Sequence, residues 1–181
     1  MAEIFVELLY FYDNDNNIIA KELACLTGDG YQFERHLFKP PFDLKGLSEK
    51  QQNTVDWLSK KYHGLKWDSG ETSLENFSTI LKKCCSDYAT IYSKGLKKCH
   101  SLENVLNRDV VNIKHIGCPS FKELKLIFVD ELKCFDHAYK TSYCASTNVY
   151  RLMSWYNEFG RATRNSEGVC TSRLSLRCFC M

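Results

Sequence analysis

The run Ile4-Phe-Val-Glu-Leu-Leu-Tyr-Phe11 is apolar at every position but one, and strand geometry sorts it into two faces. Ile4, Val6, Leu8 and Tyr10 share one face, and Phe5, Glu7, Leu9 and Phe11 share the other. Burying an unpaired carboxylate between Phe5 and Leu9 costs roughly several kcal/mol. Glu7 therefore has a partner, holds a metal, or lies on a wet face. Two further strands follow, Ile18–Leu26 and Tyr31–Phe38. The turn-forming stretches Asp13–Asn17 and Thr27–Gly30 separate the three. Tight turns between short strands predict an antiparallel meander, which Lys39-Pro-Pro-Phe42 ends.

Beyond the meander the apolar period lengthens to that of helices. Ser48 and Gln51 form a capping box before Val55, Leu58 and Tyr62, and Thr72 and Glu75 form a second before Leu74, Phe77, Leu81 and Cys84. Tyr88–Tyr92 reads as a strand, Ser101–Leu106 as a short helix and Val110–Ile113 as a strand. Pro119-Ser-Phe-Lys-Glu123 opens a helix to about Val129. A last helix is capped by Ser146 or Thr147 and carries Val149, Leu152, Tyr156 and Phe159 on one side. A meander followed by strands alternating with helices predicts an α/β domain over residues 1–159, with a mixed sheet and flanking helices. Residues 160–181 show no period and are expected to form an irregular tail.

Composition narrows the function classes. A net charge of +2 over 181 residues gives no global nucleic-acid footprint, so such binding needs a local patch. No apolar run approaches the roughly 18 residues of a membrane span. The acidic start MAEIFVELL does not read as a secretory signal, and ten cysteines without one favour free thiols in an intracellular, cytoplasmic or nuclear setting.

The element order, and the run Tyr62-His-Gly-Leu65 followed by a capped helix, a strand and a short helix, resemble the DEDD-type 3′–5′ exonucleases. The likeness covers about residues 3 to 158. It implies a ribonuclease H-like fold and carboxylates that hold two divalent metals, Mg2+ or Mn2+, about 3.5–4 Å apart. Where the family has D-x-E, this chain has Glu7-Leu8-Leu9. The second motif falls in Ser93–Lys98, where a lysine or Cys99 replaces the aspartate. Near the third, His137 precedes the last helix but Cys144-Ala145 stands at the aspartate position. The chain also looks like uncharacterised insect and insect-virus proteins, a likeness that implies no activity.

An exonuclease-like fold with an eroded metal site is therefore expected, serving as a nucleic-acid-binding or protein-interaction module and needing no cofactor. The alternative is an active metal-dependent 3′–5′ exonuclease on RNA or DNA, with Glu7 as ligand, His137 as general base, and Asp136 or Asp130 as substitute ligand. Lys94, Lys97 and Lys98, with His100 and Lys82–Lys83, are candidates for contacts to the phosphates of RNA or single-stranded DNA. Cys118, Cys134, His137 and Cys144 could supply a zinc site. Buried free thiols account for the same cysteines, and no metal is expected there. Pairing His137 with Cys134 or Cys144 as base and thiol nucleophile lacks an oxyanion-type glycine turn. His63 reads as a turn residue at a helix end. Cys178-Phe-Cys-Met181 formally fits a prenylation box, but Cys180 is not an aliphatic residue and the match reads as an accident of a cysteine-rich tail.

Overall fold

The computed structural model describes residues 2–128, 136–137 and 143–161. Six strands form one mixed sheet: β1 (Glu3–Tyr12), β2 (Ile18–Thr27), β3 (Phe33–Lys39), β4 (Thr72–Ser73), β5 (Thr90–Ser93) and β6 (Val111–Asn112). Their spatial order is β4-β3-β2-β1-β5-β6. The meander β1–β2–β3 is antiparallel, whereas β5 runs parallel to β1, β6 to β5 and β4 to β3. The helices are α1 (Glu49–Trp57), α2 (Phe77–Cys85), α3 (Leu96–Leu106), α4 (Phe121–Ile127) and α5 (Ala145–Trp155).

The two faces of β1 divide the core as the pleat requires. Ile4, Val6 and Leu8 pack with Leu23 and Cys25 of β2 against Leu81 and Cys85 of α2 and Cys99 and Leu102 of α3. Phe5 and Leu9 pack with Ala24 and Leu26 against Leu124 of α4 and Val149, Leu152 and Trp155 of α5. Helices thus cover both faces, which explains why β1 carries apolar residues on both.

The β1–β2 register slips once. Leu9 pairs with Glu22 but Tyr10 pairs with Ala20, so Lys21 is the extra residue of a bulge. The bulge drives its side chain inward, where the ammonium donates to the carbonyls of Phe38 (3.0 Å), Trp67 (2.9 Å) and Ser69. Gly70 follows at φ +119°, and a Cβ there would lie 2.5 Å from the Phe38 carbonyl carbon. Lys21 and Gly70 together hold the 67–70 loop against β3.

Several element boundaries differ from the sequence expectation. Thr72 and Ser73 form the strand β4, Ser73 precedes a 3-10 turn (Leu74–Asn76) without a side-chain cap bond, and α2 starts only at Phe77. Ser48 does cap α1, yet Gln51 turns away to donate to Asn16 at 3.0 Å instead of closing the box. The third helix begins at Leu96, five residues before Ser101, because Gly95 at φ +108° turns the chain straight out of β5. Cys144, not Ser146 or Thr147, precedes the first turn of α5. Asp130, Cys134 and the 162–181 tail with Cys178 lie outside the described residues. No helix among the described residues is long and apolar enough to cross a membrane.

Candidate functional site

The ladder between β1 and β5 has three pairs and ends at Phe5–Tyr92. Past that point β1 continues to Tyr12, while the other chain leaves β5 and turns through Gly95 into α3. The two segments thus diverge at the carboxyl end of β5, the position at which open α/β sheets receive ligands. Glu7 lies on β1 just past this split, with no exposed surface.

The partner of Glu7 is Lys98, from the first turn of α3, which donates to Oε1. Burial pushes the Glu7 pKa up, and the charge and hydrogen bond of Lys98 oppose it. Oε2 has no hydrogen-bond partner among the described residues. Lys94, also buried, donates to the Cys118 carbonyl at 2.8 Å, and its pKa is lowered by burial. The ammonium groups of Lys94 and Lys98 lie 6.0 and 5.4 Å from the centre of the Phe121 ring. Lys97 is exposed and stands 4.6 Å over the Tyr12 ring. The three lysines expected to form one patch thus have separate environments: Lys94 and Lys98 beneath the surface, Lys97 above it.

Half-buried tyrosines complete the rim. Tyr10 and Tyr12 meet edge to face at 5.2 Å, and Tyr62 stacks on Tyr143 at 3.9 Å. Exposed Trp57 extends that stack, its ring 5.9 Å from Tyr62. Burial raises the pKa values of Tyr10 and Tyr62, and both hydroxyls also feel the negative charge of Glu7. Rings and ammonium groups therefore gather near Glu7, whose carboxyl also feels the charge of Glu22.

Asp136 and His137 gather around a different residue, Glu22. This glutamate pairs with Leu9 across the sheet and shares the Glu7 face, wholly buried. Arg35 donates to its Oε1 at 2.6 Å and also reaches Asp136 at 2.6 Å; the Ala145 N–H donates to Oε2 at 3.1 Å. His137 Nε2 lies 3.3 Å from the same oxygen, and its Nδ1 bonds the His63 carbonyl. Burial opposes charge on His137, but Cys144, Glu22 and the His63 carbonyl together push its pKa up to about 10. His63 closes the turn after α1, its Nδ1 accepting from the Leu65 N–H at 3.1 Å. Burial and the nearby His137 charge push it down to about 4.

At the Glu7 site the Lys98 ammonium pairs with the carboxylate, apolar Leu9 shares its strand face, and Glu22 opposite Leu9 adds a second negative charge. A cavity of about 890 Å3 lies elsewhere, between α1 and Phe42, Leu44 and Trp67. It holds no group of buried titratable side chains. Neither a protein-family model nor a curated protein sequence matches this chain.

Glu22, Arg35 and the tyrosine rim escaped the sequence reading. The available signal was Lys21-Glu22 inside the apolar run Ile18–Leu26, the same anomaly that marked Glu7. The rim left no comparable trace, because Tyr12, Tyr62 and Tyr143 are far apart in the chain.

Proposed function

We propose that the chain binds single-stranded RNA or DNA across the carboxyl end of β5 without cleaving it, on a ribonuclease H-like fold of the exonuclease type. The observation that carries this reading is the Glu7–Lys98 pair under a rim of tyrosines and lysines. An ammonium supplies the positive charge that metal ions would bring beside that carboxylate. Aromatic faces offer stacking to bases of any sequence, at about 1–3 kcal/mol per base, and the exposed Lys97 offers a phosphate contact. The strand order β3-β2-β1-β5-β6, with β2 antiparallel to its neighbours, supports the fold assignment.

Fluorescence anisotropy with labelled oligouridylate and oligothymidylate tests the reading. Expected is salt-sensitive binding that weakens by about 1–3 kcal/mol in Tyr12→Ala. In Lys97→Glu the slope of log K against log salt falls by about 0.7. Intact oligonucleotide after incubation with Mg2+ or Mn2+ is the companion result. Metal-dependent digestion lost in Glu7→Gln would establish the active exonuclease instead. Absence of binding at low salt, or binding unchanged in both variants, would overturn the carboxyl end of β5 as the nucleic-acid surface.

A further inference from the structure

We propose that Glu22, His137 and Cys144 supply three ligands of a zinc site, a water taking the fourth position, that ties the start of α5 and the 136–137 segment to β2. One carboxylate oxygen, one imidazole nitrogen and one thiol sulfur lie within 4.8 Å of one another. A tetrahedral zinc ion with these ligand types has ligand separations of about 3.3–3.6 Å, so modest side-chain movement closes the site. Glu22 Oε2 and His137 Nε2 are already at 3.3 Å.

An independent observation points to a ligand. The His137 side chain is 3% exposed, and its buried Nε2 faces the cluster without a well-formed hydrogen bond, Glu22 Oε2 lying 3.3 Å away. The other ring nitrogen is bonded to the His63 carbonyl, the outer contact that orients a metal-binding histidine. Glu22 is oriented in the same manner by Arg35 and by the Ala145 N–H. Cys144 stands at the N-terminus of an eleven-residue helix, whose dipole favours the thiolate a metal requires. A carboxylate and a thiolate with a neutral imidazole balance a dication. Soft sulfur with imidazole selects zinc over Mg2+ or Mn2+.

Glu34, His36 and Cys84 form a second group of the same residue types and serve as the control. There the glutamate side chain is 49% exposed and already accepts from the Cys84 thiol at 3.3 Å.

Full-length protein, stripped with chelator and titrated with ZnCl2, is to be assayed by elemental analysis, by competition with a chromophoric chelator and by thermal unfolding. Expected is one zinc per chain with a raised Tm. Cys144→Ser, whose hydroxyl suits an N-cap position, and His137→Ala should each lower zinc affinity by more than about tenfold. Cys84→Ser and His36→Ala should retain it. Cobalt substitution should give an intense visible spectrum with thiolate charge transfer, absent in Cys144→Ser. Substoichiometric zinc in the folded wild type would overturn the assignment. So would full affinity in Cys144→Ser, or a loss confined to the Cys84 and His36 variants.

Discussion

Replacing Lys98 by methionine keeps most of the aliphatic stem and removes the charge that Glu7 faces. Glu7 has no exposed side-chain surface and Lys98 only 14%, so solvent screens the pair weakly. Stranding one member of a buried pair costs about 3–5 kcal/mol. The carboxyl can take up a proton instead, which sets a ceiling. From its ordinary value of 4.5, protonation at pH 7 costs about 1.4 kcal/mol per unit, about 3.4 kcal/mol in total.

The sign of the pH dependence follows from the raised pKa. A raised folded-state pKa means that this contribution to stability is complete below pH 4.5 and is lost as pH rises from there through the raised value. Wild type shares the trend more weakly, because Lys98 opposes the effect of burial. The loss in Lys98→Met should therefore be about 3 kcal/mol near pH 7 and shrink toward zero near pH 4.5. Urea unfolding followed by tryptophan fluorescence, at neutral pH and near pH 5, measures both values. Lys98→Met combined with Glu7→Leu should recover to within about 1 kcal/mol of wild type, since an apolar pair needs no charge compensation. A loss of equal size at both pH values, or a double variant as unstable as the single one, would refute the reasoning.

Lys21→Met should destabilise by about 2–4 kcal/mol in the same assay, because the carbonyls of Phe38, Trp67 and Ser69 lose their shared donor. Gly70→Ala should cost more than about 2 kcal/mol, since its Cβ would meet the Phe38 backbone at a positive φ. Burial pushes the Cys85 thiol up to about 12, so it is ionised to only about one part in ten thousand at pH 8. Alkylation mapped by peptide mass should therefore spare Cys85 in the native protein and label it in urea.

The meander, the strand at Thr90–Ser93 and the helix pattern were legible in the sequence because each follows from local periodicity and turn chemistry. The second capping box failed for a physical reason. Thr72 and Ser73 pair with Phe38 and Lys39 of β3, and that non-local ladder overrides the local cap. The early start of α3 escaped the pattern because one glycine torsion, not a capping side chain, sets it. At the candidate site, Glu7 announced itself as a charge in an apolar run. Its partner could not be read in the same way, since several lysines follow β5 and only the helical phase of α3 selects Lys98.

The sequence alone determined that this chain builds an α/β sheet domain and that Glu7 requires compensation, because both follow from the burial cost of neighbouring residues. Tertiary structure decided what compensates it. The bulge at Lys21 and the pairing of Leu9 with Glu22 place a second carboxylate on the Glu7 face, and the chain then distributes the cations. Lys98 goes to Glu7, Arg35 and His137 go to Glu22, and Lys21 goes to backbone carbonyls. Such pairings join residues as far apart in the chain as Glu22 and His137. They are fixed by the three-dimensional demand that every buried charge find an opposite charge or dipole, which no local pattern encodes.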